Sequence, residues 1–123
     1  MKIAICAKGE DLQAETDERF GRCPFFVIVD NESGALVEVV TNQNAQASGG
    51  AGPQAAQLLS RKAVDAVILG NVGPNAINAL VAAKIKVYGG VEGTVEHTLK
   101  RYAAGKLSEI SGATVRSHSG GIG

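Results

Sequence analysis

Two stretches of this chain follow one plan, and that plan restricts the fold more than any other feature. Aligning Gly52 with Gly73 matches Gly52-Pro53, Ala55 and Leu59 to Gly73-Pro74, Ala76 and Leu80. After each Gly-Pro, apolar residues recur at helical spacing: Ala55, Ala56, Leu58 and Leu59, then Ala76, Ile77, Leu80 and Val81. Proline is expected at the first position of each helix. Each helix then leads into a short apolar strand, Val64 to Leu69 or Ile85 to Tyr88. Two successive helix–strand units build parallel strands through right-handed crossovers.

The first half supplies the rest of the sheet. Ile3-Ala4-Ile5-Cys6-Ala7 is apolar throughout, as a strand buried on both faces must be. Pro24 to Val29 is a second apolar run, with proline where a strand tolerates it. Asp30 to Gly34 reads as a tight turn. Ala35 to Thr41, interrupted by Glu38, reads as an edge strand, so strands two and three form a hairpin. Residues 42–52 are polar and glycine-rich and read as a mobile loop within one domain. A last helix is expected over about Thr94 to Ala104, capped by Gly93 or Thr94, with Glu96 in its first turn and Gly105 after its end. The order is β β β α β α β α. It predicts an α/β domain over residues 1–107, with a five-stranded mixed sheet of order 3-2-1-4-5, strand two antiparallel, and three helices. Residues 108–123 read as a loose tail containing His118.

Charge and length exclude several function classes. Twelve basic residues balance twelve acidic ones, so the electrostatic footprint of a nucleic-acid binder is missing. No apolar run reaches the roughly 20 residues of a membrane helix. The N-terminus reads as a first strand, not a signal peptide, which makes a cytoplasmic location the expectation. Cys6 and Cys23 are then expected as reduced thiols. Only 4% of residues are aromatic, so the core must be aliphatic.

In that topology the carboxyl edge of the parallel strands collects the unusual residues. Strand one ends there near Cys6, strand two begins there at Cys23, and strands four and five end there. Their turns are Gly70-Asn71-Val72-Gly73 and Gly89-Gly90. Open α/β sheets bind ligands at this edge, where glycines admit a ligand to the backbone and helix starts favour anions. Thiolates and imidazole hold iron–sulfur species. Cys23 is therefore a candidate ligand, with Cys6 and His97 nearby. For each there is also a structural reading. A free cysteine is commonly a small buried apolar residue, and His97 could be a surface residue in a first helical turn. Arg19 and Arg22 could grip an anionic cofactor or phosphate, or pair with Asp17 and Glu18.

The segments MKIAI, ERFGRCPFFVIVD, GGAGPQAAQLL, VDAVILGNVGPNA, IKVYGG and TVEHTLKRYAAGKL together resemble the dinitrogenase iron–molybdenum cofactor biosynthesis domain. That family includes NifX-like carriers, NafY and the C-terminal part of NifB. The resemblance spans about residues 1 to 107. It implies a ribonuclease-H-like arrangement and the binding or carrying of an iron–sulfur- or iron–molybdenum-type cluster or its precursor. It implies no catalysis, and its partners would be proteins that donate or accept the cluster. Many members have histidine where this chain has Arg19, and a small residue where it has Cys23.

A metal-free module for a small anionic metabolite or nucleotide is the alternative. It would use the two arginines with Gly70, Asn71, Gly73, Gly89 and Gly90. Nuclease chemistry is rejected, because two-metal sites need clustered carboxylates. The first strand has none, and the fourth and fifth offer only Asp65, at a strand start.

Overall fold

The computed structural model describes residues 1–45 and 50–111. Five strands form one sheet: β1 (Lys2–Ala7), β2 (Phe25–Asp30), β3 (Leu36–Thr41), β4 (Ala66–Ile68) and β5 (Lys86–Tyr88). Three helices accompany them: α1 (Ala51–Arg61), α2 (Pro74–Ala82) and α3 (Val95–Ala103). A short 3-10 turn covers Phe20–Arg22. The strand order is β3-β2-β1-β4-β5, as the sequence predicts. β2 lies antiparallel to β1, with Ala7 opposite Phe25, while β4 lies parallel on the other side, with Ile5 opposite Ile68.

The alternation of side chains along β1 divides the core in two. Ala4 and Cys6 join Phe26, Ile28, Val67 and Leu69 under α1 and α2. Ile3, Ile5 and Ala7 join Val27, Val29, Ala66 and Ile68 on the opposite face, with Val95 of α3. From Ile3 to Ala7 the strand is buried on both faces, which accounts for its unbroken apolar sequence. Tyr88 and Tyr102 meet edge-on, ring centroids 5.1 Å apart, and help seat α3.

Two boundaries differ from expectation. α1 begins at Ala51, so Pro53 stands third in that helix, whereas Pro74 is first in α2. The earlier start is set by Gly50, whose φ of 71° lets the chain turn into the helix before the proline. The expected loop over 42–52 therefore loses its last two residues to α1, and 46–49 lie outside the described residues. At the start of α3 the cap is Thr94, whose side-chain oxygen accepts from the His97 N–H at 3.1 Å.

The second difference concerns residues 108–110, which composition placed in the tail. Gly89 N–H donates to Ser108 O at 3.0 Å and Ile110 N–H to Val87 O at 2.7 Å, so this segment pairs antiparallel with β5. Ile110 packs against the core cluster beneath α1 and α2, and Leu107 against the one beneath α3. His118 lies outside the described residues. A chain ending at Lys106 loses both Leu107 and Ile110, each only partly buried, and is expected to unfold with about 1.5–3 kcal/mol less stability, the worth of one fully buried apolar side chain. Urea denaturation of the two lengths measures it.

Candidate functional site: a cleft between two helix starts

Register places the sequence-predicted residues. Phe25 stands opposite both Ala7 and Thr41, so β1 and β3 end where β2 begins. β4 and β5, parallel to β1, end at the same edge. Cys23, two residues before β2, is thus at the edge that carries the turns after β4 and β5.

The charged segment between β1 and β2 is laid across this edge by backbone hydrogen bonds. It folds back on itself (Lys8 N–H to Glu15 O, 2.8 Å) and returns to β1 (Asp17 N–H to Cys6 O, 2.9 Å). It then runs beside the turn after β4, where Phe20 N–H donates to Asn71 O at 3.2 Å and Asn71 N–H to Glu18 O. Phe20 plugs the core, its ring centroid 5.7 Å from that of Phe26. Cys23 closes the 3-10 turn: its N–H donates to Arg19 O at 2.9 Å and its thiol to Phe20 O at 3.3 Å.

Asn42 pins the turn from the other side. Its buried amide Nδ2 donates to Gly21 O at 3.0 Å and to Cys23 O at 2.9 Å. Sequence reading placed Asn42 in a polar loop. Nothing in its neighbours marks it as buried, because its partners are 19 and 21 residues away.

Glycine lets the turn and both helix starts converge. A Cβ on Gly21 would lie 2.8 Å from Gly52 N, and a Cβ on Gly52 would lie 2.7 Å from the Cβ of Ala76. Between them is a hollow of about 610 Å³, lined by Arg19, Arg22, Gly52, Asn71, Gly73 and Asn75 among others. Neither α1 nor α2 has a side-chain cap or an acidic residue in its first turn. Their positive ends therefore meet this hollow with no side-chain cap and no first-turn carboxylate to offset them. α3 differs, with both Thr94 and Glu96 at its start.

Arg19 stands on the rim. Its guanidinium donates twice to Asp17, Nε to Oδ1 at 3.1 Å and Nη2 to Oδ2 at 2.9 Å, and its backbone N–H also reaches Oδ1 at 2.9 Å. The Asp17 side chain is 2% exposed and that of Arg19 63%. The hydrogen bonds from Arg19 hold the Asp17 carboxyl below its ordinary pKa. Beyond Arg19 is a second hollow of about 700 Å³, lined also by Lys8, Glu15, Glu92 and Thr94. Arg22 donates from Nη1 to Ala45 O at 3.1 Å.

The candidate metal ligands are placed otherwise. Cys6 and Cys23 are both free thiols with no exposed surface, together in the cluster beneath α1 and α2. Burial pushes the Cys6 thiol well above its ordinary pKa, and contact with Cys23 adds to this. His97 is on the α3 side of the sheet, half-exposed, with Nε2 3.7 Å from Glu92 Oε1. Among the described residues, no three of His, Cys, Asp and Glu come together as a metal site.

The glycines divide too. The Cα of Gly70 faces the Glu18 backbone, with a Cβ 2.8 Å from the Glu18 Cα; Gly89 and Gly90 face Ile110 and Leu107. Their missing side chains make room for this chain's own segments. Gly73 has nothing within 4 Å of a built Cβ, and together with Asn71 it borders the hollow.

The sequence profile of the family described as dinitrogenase iron–molybdenum cofactor matches residues 1–105. This chain belongs to that family. An uncharacterized Methanocaldococcus jannaschii protein is 31% identical over 112 residues, 89% of this chain and 92% of its own. The apo form of the orange protein from Desulfovibrio gigas superposes with a TM-score of 0.88 at 39% identity, covering 93% of this chain and 96% of that one. A Thermotoga protein assigned to NifB superposes at 0.80 with 40% identity, covering 93% and 97%. Membership in the iron–molybdenum cofactor family gives the chain a cofactor-related accessory role. No helix among the described residues is long and apolar enough to cross a membrane.

The Asp17–Arg19 pair has a pH signature. A carboxylate whose native pKa is depressed stabilises the fold above its unfolded pKa, about 3.9, and loses that contribution as pH falls through the native value. Wild type is therefore expected to exceed Asp17→Asn in stability by a constant margin above about pH 5. The margin should shrink below about pH 4. Urea midpoints of both proteins from pH 7 to pH 3 measure this.

Proposed function

We propose that this protein is a non-catalytic carrier of an anionic metal–sulfur cofactor or its precursor, bound as an intact anion in the cleft between the 3-10 turn and the starts of α1 and α2. One observation carries the reading: two uncapped helix N-termini converge on a hollow that Arg19 and Arg22 also line. Metal–sulfur clusters rich in sulfide bear net negative charge, and such a cleft attracts them without any side chain bonding to metal. The cargo is held by hydrogen bonds from guanidinium and backbone, each charge-assisted bond contributing about 1.5–3 kcal/mol. This grip suits a carrier, since cargo bound without covalent ligation can be handed to an acceptor protein. Donor and acceptor proteins of cluster assembly are its partners on this reading.

The buried thiols bear on how the cargo is held. Cys23 and Cys6 would have to leave the core to reach a metal, and Cys23 would give up its bond to Phe20 O. The same geometry supports a second reading, a metal-free site for a small anionic metabolite or nucleotide, because an anion cradle does not itself require metal.

Anaerobic reconstitution with iron and sulfide, followed by visible absorption, tests the proposal. Wild type and Cys23→Ser are expected to develop the same sulfide-to-metal band, whereas Arg22→Ala should bind about tenfold more weakly. A band that vanishes in a folded Cys23→Ser protein would restore thiolate ligation. No band in wild type, with thermal stabilisation by phosphate or nucleotide, would favour the metal-free site.

A further inference from the structure

We propose that Asp17 is a positioning residue for the cleft: its buried carboxylate fixes the Arg19 guanidinium on the rim that the two hollows share. The inference rests on the anion-carrier reading above and adds to it how the rim cation is held. Arg19 borders both hollows, and Asp17, which holds its guanidinium, borders only the larger one.

The geometry separates the guanidinium into an anchored edge and a free one. Nε and one N–H of Nη2 point to the two oxygens of Asp17. The N–H groups of Nη1 and the second N–H of Nη2 are the remaining donors of the planar fork. A long, exposed arginine would otherwise lose rotamer freedom when it closes on a ligand. Here two hydrogen bonds to Asp17 already hold one edge of the guanidinium before any ligand arrives.

Asp17 is itself held. Its N–H donates to Cys6 O at the end of β1, and its carboxylate accepts from the Arg19 backbone N–H. The carboxylate is thereby tied to the central strand, and through it the guanidinium is tied to the buried middle of the sheet. An anion cannot draw Arg19 into the cleft without stripping the buried carboxylate of both guanidinium bonds and leaving it only the Arg19 backbone N–H, which is unfavourable. Arg19 therefore donates from a fixed position. Lysine could not replace it, since an ammonium lacks the two-edged fork.

Two measurements on the full chain test this. The first is the side-chain Nε–H resonance of Arg19 by nitrogen-resolved NMR. It is expected to be sharp and slow to exchange in wild type, and lost to exchange in Asp17→Asn. The second is a double-mutant cycle for molybdate binding by equilibrium dialysis, over Asp17→Asn and Arg19→Ala. Asp17→Asn should weaken binding about tenfold in the Arg19 background and not at all in Arg19→Ala. An equal loss in both backgrounds overturns the proposal, because Asp17 would then act through general structure. So does an Nε–H signal as protected in Asp17→Asn as in wild type. If Asp17→Asn does not fold, Arg19→Lys substitutes for it. Its affinity should fall to the level of Arg19→Ala, and wild-type affinity would overturn the proposal. If wild type binds no molybdate while the NMR contrast is as expected, the positioning stands and the carrier reading falls.

Discussion

Everything in this molecule is arranged around a strand that, past Lys2, has only apolar side chains and one buried thiol. From Ile3 to Ala7, β1 is sealed on both faces, with β2 on one side and β4 on the other. A strand so placed cannot carry chemistry at its carboxyl end, where the one heteroatom side chain, Cys6, is closed in with the core. The chemistry must come from whatever is draped over its end. The charged segment after β1 meets that demand by hydrogen bonding to β1, to the turn after β4 and to the start of α3. It is long yet ordered, because its own backbone groups are paired along its length.

The cleft draws on stability left unused elsewhere. A capping side chain at the start of α1 or α2 would be worth about 1 kcal/mol each, and both are missing. α3, which borders only the second hollow, has its cap and its first-turn acid. The contrast within one small domain separates a helix start closed by its own cap and acid from two that have neither. Glycines 21 and 52 serve the same end, allowing three backbone segments to approach more closely than any side chain would permit.

Most of the fold was legible in the sequence because hydrophobic period and turn chemistry agree along the chain. The apolar run of β1, the Gly-Pro helix units and the hairpin through Asp30 to Gly34 together specify strand order 3-2-1-4-5. The boundary of α1 was less legible, because Pro53 is a strong signal for a helix's first position and Gly50 outweighs it locally. At the site, the edge was readable and the arrangement within it was not. Cys23 follows arginine in sequence, yet its thiol turns inward to Phe20 O. Gly70, Gly89 and Gly90 look like a ligand-binding set in sequence, but Glu18, Ile110 and Leu107 face them. Asn42 and the burial of Asp17 depend on contacts that local pattern cannot encode.

The pairing of Ser108 and Ile110 with β5 has a consequence for how copies of this sheet could meet. Any sheet has two borders at which strands can be added. Here one of them is closed by the chain's own residues, and Gly89 and Val87 have their hydrogen bonds made. The other, β3, has no further neighbour among the described residues, and its one charge, Glu38, is drawn aside to Lys62 at 2.6 Å. A second copy adding a strand at β5 would first have to displace the chain's own segment, whereas at β3 it would meet only Glu38, already turned toward Lys62. Strand addition is therefore easier at β3 than at β5.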